Sequence, residues 1–300
     1  MFDVVIVGGG PSGLAAGIYA GRGQLRTLVV ERGLFGGQIA QSSEVENYPG
    51  FESISGAELS GRFVSQAEKF GVEFVVGEVT GVEELGDGFV VFVGGDEVRA
   101  KSVILAVGAN PRMLGVPGED VFYGRGVSTC ATCDGFFFRG KDVVVVGGGD
   151  AAVEEGIFLT RFADSVTVVH RRGELRAGRE LQERAFNNER MRFVWNSVVE
   201  EVVGEDFVSG VKIRDVVSGE VGFVSGEGVF VYVGHEPNTG FLGGFVELSD
   251  SGYVRVWDEV FTSREGVFAC GDVSDEVYRQ LGTAVGAGVK AAMSLERWLF

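Results

Sequence analysis

Two cysteines two residues apart, Cys130-Ala131-Thr132-Cys133, are the side chains here whose type and spacing most directly promise chemistry, and Asp134 follows at once. That spacing lets two thiols close a small ring and reopen it without large movement of the chain. The pair reads as a redox-active dithiol/disulfide, which needs one sulfur to become a thiolate beside a helix N-terminus or a positive charge. Asp134 could donate or accept the proton that thiol chemistry moves at each step; as a plain residue it would be a turn or cap. A structural zinc site is the rival, and it needs four ligands. The other candidates, Cys270, His170 and His235, lie at the ends of other predicted strands, so no metal site is expected. Phe136-Phe137-Phe138 follow. They read first as core and second as an apolar seat for a protein substrate beside the redox pair. Cys270 has no partner nearby in sequence and reads as a small buried residue.

Glycine-rich turns supply a second chemistry. Asp3–Val7 reads as a strand running into Gly8-Gly9-Gly10-Pro11-Ser12-Gly13, with a helix from Leu14 to about Arg22 and a strand Thr27–Glu31 beyond it. In this β-α-β frame Gly8 permits a tight turn, Gly10 lets backbone approach a pyrophosphate, and Gly13 lets the helix pack against the strand. The helix N-terminus offers free N–H groups and the positive end of its dipole to that pyrophosphate. Glu31 can accept hydrogen bonds from an adenosine ribose. The pattern returns as the strand Asp142–Val146, then Gly147-Gly148-Gly149-Asp150-Ala151-Ala152, a helix from Val153 to about Arg161 and the strand Ser165–Val169. Where the first unit ends in Glu31, the second continues into His170-Arg171-Arg172. A carboxylate repels a 2′-phosphate, whereas guanidinium groups bind one through bidentate, charge-assisted hydrogen bonds. The first unit therefore suits FAD or NAD and the second NADP, with Arg176 close enough in sequence to assist.

The elements that must position these residues give the fold class. It is α/β, with two Rossmann-like (three-layer ββα) dinucleotide-binding domains, the second inserted into the first. Val103–Pro111 and Val229–Pro237 resemble each other, each an apolar strand, a Gly and a short segment ending in Pro, and each follows its own fingerprint at a similar interval. Such an internal repeat marks two similarly built domains. Residues 1–112 and 237–300 are expected to form the first domain and residues 113–236 the second, with hinges at Pro111–Pro117 and Pro237–Gly240. Residues 72–107 and 193–233 carry short β-rich runs broken by Gly-Asp turns. The stretch from Glu174 to Asn188 is charged and reads as a solvated helix. The tail holds a strand Gly266–Cys270, then Gly271-Asp272, then a helix from Gly282 to the end.

Composition sets the outer limits. At roughly 100–200 residues per domain, 300 residues hold one large domain or two ordinary ones. A hydrophobic share of 45% fits an ordinary globular chain rather than a disordered one. The 49 glycines follow no collagen period and cluster with apolar runs. A formal net charge of −17 argues against nucleic acid and anionic membrane surfaces as partners and favours solubility. No stretch approaches the roughly 20 apolar residues of a membrane span. The N-terminus has no basic segment before its apolar run and reads as a strand, not a signal peptide. Three cysteines do not make a secreted disulfide framework. A cytoplasmic protein is expected.

Together, two fingerprints with Cys-Ala-Thr-Cys-Asp-Gly between them resemble the low-molecular-weight thioredoxin reductases of bacteria and archaea. Gly36-Gly37-Gln38 and Glu44–Gly50 resemble that family's flavin-side loop, His170-Arg171-Arg172 its NADPH-phosphate motif, and Gly271-Asp272-Val273 with Arg279-Gln280 its C-terminal flavin motif. The resemblance spans nearly the whole chain. It implies FAD in the first domain, held by Gly8, Gly10, Pro11, Ser12, Gly13, Glu31, Gly37, Gln38, Asn47, Gly271, Asp272, Arg279 and Gln280. It implies NADPH in the second, held by Gly147, Gly149, Asp150, Ala151, His170, Arg171, Arg172 and Arg176. It further implies that Asp272 bonds the ribityl chain, that Gln280 and Asn47 lie near the flavin ring, and that Asp134 is the acid/base. Cys133 would face the flavin and Cys130 would attack the protein substrate. A homodimer, thioredoxin or a thioredoxin-like protein as partner, and two alternating domain orientations complete the expectation. Related disulfide reductases and dithiol oxidases share this layout, with ferredoxin as a donor or oxygen and small disulfides as acceptors; a non-enzymatic redox sensor fits the intact cysteine pair poorly. The chain departs from the family at Gly286-Ala287-Gly288-Val289, where an acidic residue is usual, and at Cys270, often Ala.

Overall fold

The computed structural model describes every residue except Ser43. The chain forms two compact units, one of residues 1–110 with 236–300 and one of residues 111–235. Among the described residues no helix is long and apolar enough to cross a membrane.

The first unit opens with β1 (Phe2–Val7), α1 (Pro11–Arg22) and β2 (Thr27–Glu31). After a short 3-10 turn at Gly37–Gln41 come α2 (Gly56–Lys69), β3 (Glu73–Val76), β4 (Val79–Leu85), β5 (Gly88–Val93) and β6 (Asp96–Leu105). The helix α2 is absent from the sequence reading. Its start carries a signal that could have found it, since Ser55 and Glu58 stand three apart and Ser55 Oγ accepts the Glu58 N–H at 3.2 Å.

The strand β7 (Ala109–Pro111) leads into the second unit, which holds α3 (Glu119–Phe122), β8 (Val127–Ser128), α4 (Ala131–Asp134), β9 (Asp142–Gly147), α5 (Asp150–Leu159) and β10 (Ser165–Val169). Next come α6 (Arg179–Phe186), β11 (Met191–Val194), β12 (Ser197–Gly204), β13 (Val208–Asp215), β14 (Val221–Ser225) and β15 (Gly228–Tyr232). The strand β16 (His235–Pro237) pairs with β7 where the chain returns to the first unit. There β17 (Val267–Ala269) and α7 (Leu281–Leu299) complete it.

In the first unit the sheet runs β3-β2-β1-β6-β5-β4. Its parallel part has Val4 opposite Thr27 on one side and Ser102 on the other. The long β6 changes partners along one edge: Asp96–Ala100 pair antiparallel with β5, and Val103–Leu105 pair parallel with β17. The second unit has a fully parallel sheet, β11-β10-β9-β15-β8, and a separate antiparallel sheet β12-β13-β14. Strands covered on both faces must be apolar throughout, and Val4, Val5, Ile6, Val144 and Val145 are fully buried.

The helices differ from expectation at their edges. Both fingerprint helices begin earlier, at Pro11 and Asp150, so the third position of each glycine motif lies inside the helix. The expected helix over 174–188 is shorter, Arg179–Phe186. Its first residues instead fold back as a loop, in which Leu175 is buried and the Arg176 N–H donates to the Gly148 carbonyl at 2.7 Å. That tertiary bond outweighs a helical propensity worth only tenths of a kcal/mol per residue.

Candidate active site

The redox turn starts where β8 ends. Cys130 is the extended cap residue of α4, and its sulfur is joined to Cys133 in a disulfide. The Cys133 N–H donates to Cys130 Sγ at 3.2 Å and the Asp134 N–H to the Cys130 carbonyl at 3.1 Å. Cys133 is exposed, while Cys130 and Asp134 are half-buried. Burial pushes the Asp134 carboxyl above the usual carboxylate range, and the Ser128 hydroxyl, donating to its Oδ2 at 2.6 Å, pulls the other way. Ser128 Oγ also accepts the Cys130 N–H at 3.0 Å, and the Tyr232 hydroxyl accepts the Ala131 N–H at 2.6 Å. Sequence reasoning missed both hydroxyls. Ser128 could have been suspected from its place beside the pair; nothing in the sequence joins Tyr232 to a turn 101 residues away. Phe138 is buried, edge-on to Phe230, so it is core. Phe136 and Phe137 are 56% and 48% exposed, so apolar surface adjoins the disulfide in sequence. The arrangement can break and remake an S–S bond with a carboxyl alongside whose pKa burial raises.

The first fingerprint converges on the start of α1. Gly8 has φ +108°, and a side chain there would meet the Ala106 carbonyl at 2.3 Å. One at Gly13 would meet the Gly8 carbonyl at 1.9 Å. Gly10 differs, with nothing within 4 Å of where a side chain would project. It opens into free space at a helix N-terminus that has Pro11 in its first turn, no acidic residue there and a buried Ser12 behind it. Two further segments close on this corner: a side chain at Gly37 would lie 3.2 Å from the Gly10 Cα, and one at Gly271 2.5 Å from Ser12 Oγ. Glu31 accepts the Gly9 N–H at 2.7 Å on one oxygen and the Gly33 N–H at 3.0 Å on the other. Each carboxylate oxygen keeps acceptor capacity for a ribose hydroxyl. Open space beside Gly10, free amides, a carboxylate at the strand end and no acid in the first helical turn fit an FAD diphosphate and adenosine ribose.

Further along the first unit, Gln38 Nε2 donates to the Ala109 carbonyl at 2.6 Å, and Asn47 lies 3.5 Å from Gln280 Oε1. Gln280 caps α7, its N–H donating to Thr283 Oγ1. Arg279 holds φ +44° and donates to the Glu276 carbonyl. Burial, helped by Asp275 and opposed by Arg279, pushes the Asp272 carboxyl up to about 6. Cys270 is wholly buried, and burial pushes its thiol up to about 12, so it is inert as a nucleophile. A side chain at Gly288 would meet the Ser12 carbonyl at 2.0 Å, so α7 packs directly on α1.

The second fingerprint is finished otherwise. A side chain at Gly147 would meet the Tyr232 carbonyl at 2.5 Å, and one at Gly148 the His170 ring at 2.3 Å. Gly149 faces only Arg176 Nη2, 3.7 Å from where its side chain would begin. Asp150 Oδ1 is held by the Gly178 N–H at 2.7 Å, and Ala151 is exposed. His170 was expected to join the arginines as a phosphate ligand. It is buried instead, with Nε2 lacking a hydrogen-bond partner among the described residues, and its pKa is lowered first by burial and then by Arg176, Arg172 and Arg171. It serves as a neutral plate under the glycine loop. Arg171, Arg172 and Arg176 are exposed and close enough to act on it together. An exposed trio of guanidinium groups beside an open glycine turn fits a 2′-phosphorylated dinucleotide.

Comparison with known proteins agrees with this chemistry. Residues 2–288 match the pyridine nucleotide-disulphide oxidoreductase family. The chain is 50% identical to the thioredoxin reductase of Mycolicibacterium smegmatis, covering 99% of this chain and 96% of that one. It is 47% identical to the thioredoxin reductase of Bacillus subtilis, covering 100% and 95%. The crystal structure of thioredoxin reductase from Streptococcus pyogenes superposes with a TM-score of 0.94 at 46% identity, covering 100% of this chain and 98% of that one. The chain therefore belongs to the pyridine nucleotide-disulphide oxidoreductases and, within them, to the thioredoxin reductase family.

Proposed function

We propose that this thioredoxin reductase takes electrons from NADPH bound at the second fingerprint and passes them, through FAD bound at the first, to the Cys130–Cys133 disulfide and on to thioredoxin. The observation that carries the reading is the disulfide lying beside a carboxyl whose pKa burial raises, in the same unit as the arginine-flanked glycine turn. Bound flavin supplies the two-electron relay between a nicotinamide and a disulfide. Gly10, the α1 N-terminus and Glu31 would hold its diphosphate and adenosine ribose, Asp272 its ribityl chain, and Gly37, Gln38, Asn47, Arg279 and Gln280 the remainder. Gly147, Gly149, Asp150 and Ala151 would receive the NADPH diphosphate, while Arg171, Arg172 and Arg176 would receive its 2′-phosphate.

The chain's own step is thiol–disulfide exchange. Reduction of the pair breaks the S–S bond and takes up two electrons and one proton, leaving one thiolate and one thiol. Asp134 holds the proton that converts a departing thiolate into a thiol. Cys130 is assigned as the nucleophile toward the protein substrate, because its sulfur accepts the Cys133 N–H and that bond favours a thiolate there. Cys133 is assigned to the flavin side. The Cys130 thiolate attacks the partner disulfide, forms a mixed disulfide and expels one partner thiolate. Having protonated that thiolate, the Asp134 carboxylate takes the Cys133 proton, and the Cys133 thiolate resolves the mixed disulfide, restoring the internal bond and releasing the second partner sulfur as a thiolate. A homodimer working in the cytoplasm completes the proposal, on the family likeness.

Anaerobic titration of the purified protein with NADPH, and separately NADH, tests the donor while flavin absorbance is followed. Bleaching at far lower NADPH than NADH supports the reading; a yellow protein bleached by neither overturns it. Cys130→Ser and Cys133→Ser should still bleach and should lose thioredoxin turnover by more than about 1,000-fold.

A further inference from the structure

Breaking the Cys130–Cys133 bond removes the covalent tie across the redox turn. Hydrogen bonds must then keep the two sulfurs and Asp134 in place. Several join neighbours within the turn: Ser128 Oγ to Asp134 and to the Cys130 N–H, and the Asp134 N–H to the Cys130 carbonyl. Ser128 itself is fixed by the sheet, where it lies opposite Phe230 of β15. Beyond that point the chain leaves the ladder. The next tie to β15 is the Tyr232 hydroxyl, which accepts the Ala131 N–H at 2.6 Å.

Tyr232 suits this task for reasons visible around it. Its ring packs against the core of the second unit, so the hydroxyl projects from a fixed base. Its backbone carbonyl lies 2.5 Å from where a side chain on Gly147 would start. One residue thus abuts the nucleotide turn with its main chain and the redox turn with its side chain. Two acids face the hydroxyl, Glu155 of α5 and Asp134 of α4, and together with burial they push its pKa up. It therefore remains an uncharged anchor at every working pH.

We infer that Tyr232 is a positioning residue for disulfide exchange, its hydroxyl pinning Ala131 and the turn that carries Cys133 and Asp134 to the end of β15. The inference rests on the reading of Cys130 and Cys133 as the redox pair. The tie and the covalent ring hold the turn in one conformation, so each strengthens the other, and the hydrogen bond is seen with the disulfide closed. Losing the tie must therefore favour the dithiol, whose freed turn gains the most disorder.

Tyr232→Phe keeps the ring and removes only the hydroxyl. The holoenzyme is equilibrated anaerobically in reduced and oxidised dithiothreitol, quenched in acid, and its thiols are alkylated and counted by mass. Each dithiothreitol gives two electrons and two protons to the pair as its own sulfurs join. The equilibrium of Tyr232→Phe should move about tenfold toward the dithiol, which is ~30 mV for this two-electron couple. Its kcat with thioredoxin should fall about tenfold with KM within about twofold, and flavin bleaching by NADPH should keep its wild-type rate. Ala131→Pro removes the same hydrogen bond from the other side, at a helix position that suits proline and after a residue already extended. It should give the same shift, and the double variant should add nothing further. A Tyr232→Phe equilibrium within about twofold of wild type, or shifts that simply add, would overturn the inference. A wild-type protein that equilibrates with dithiothreitol but does not reduce thioredoxin would instead overturn the acceptor assignment, and the Tyr232→Phe equilibrium would still decide the role of Tyr232.

Discussion

The parallel strands of the first unit run β3-β2-β1-β6-β17, and those of the second run β11-β10-β9-β15-β8. The same five places are filled, but the fifth strand comes from opposite ends of each unit's chain. In the first unit it arrives last and delivers Gly271 and Asp272. In the second it arrives first and delivers Ser128, Cys130 and Asp134. Each unit thus places an acid whose pKa burial raises just beyond its fifth strand. The residue after or ending the second strand also serves one purpose in two ways. Glu31 presses on the first glycine loop by accepting the Gly9 N–H, whereas His170 covers Gly148 with an uncharged ring. The first solution leaves a carboxylate at the strand end proposed to meet the ribose. The second leaves the following arginines facing water. On the proposed assignment, one backbone plan discriminates between nucleotides through a few residues at strand ends.

The glycine loops offer the sharpest way to break that parallel. At the third motif position the first unit needs Gly13, 1.9 Å being far too short for a methyl group and a carbonyl. The second unit already carries a methyl group there, on fully buried Ala152. Gly13→Ala should purify with little flavin and under about 1% of wild-type activity, read from the ratio of flavin to protein absorbance and from turnover. Ala152→Gly should keep its KM for NADPH within about threefold and lose about 1 kcal/mol in urea unfolding, the usual helix penalty of glycine. Normal flavin content in Gly13→Ala would show that the two loops are more alike than their contacts indicate.

The strand ends give the next largest effect. Arg171→Ala or Arg172→Ala should raise KM for NADPH about 10–100-fold and change KM for NADH less than about twofold, since only the phosphate is lost as a ligand. His170→Ala should behave differently. Its ring touches a glycine, so KM should rise by only about fivefold, and equally for both nucleotides. A selective loss of NADPH binding in His170→Ala would return the imidazole to the phosphate site.

Much of this was legible in the sequence because it is local. Val4–Gly13 and Val143–Ala152 write strand, turn and helix in consecutive residues, and the arginines follow their strand directly. The α/β class follows from those repeats. What escaped has two causes. Some signals are short: the Ser55–Glu58 cap of α2 occupies four residues and announces a helix that carries no chemistry. Others are set by the fold. The residues from 174 to 178 look helical, yet the Arg176 N–H is claimed by Gly148, and His170 looks like a cation, yet it is buried where ionisation is costly. Tyr232 and Ala131 meet only because β15 and β8 are neighbours in the sheet.

The two fifth-strand acids set a smaller, pH-dependent test. Asp272 is raised from about 4 in an unfolded chain to about 6. Below about pH 4 it is protonated whether folded or not, and it costs nothing. As pH climbs through about 6 the folded protein must ionise a buried carboxyl that an unfolded chain ionises freely, so stability is lost, by about 3 kcal/mol once ionisation is complete. Asp272→Asn removes that loss. In protein stripped of flavin, its Tm should equal wild type near pH 4 and exceed it by several degrees at pH 7. Asp134→Asn should move in the same direction by less, because the Ser128 hydroxyl already stabilises the ionised form there. A Tm difference for Asp272→Asn that is the same at both pH values would mean that packing, not charge, sets its effect, and the likeness between the two acids would then rest on position alone.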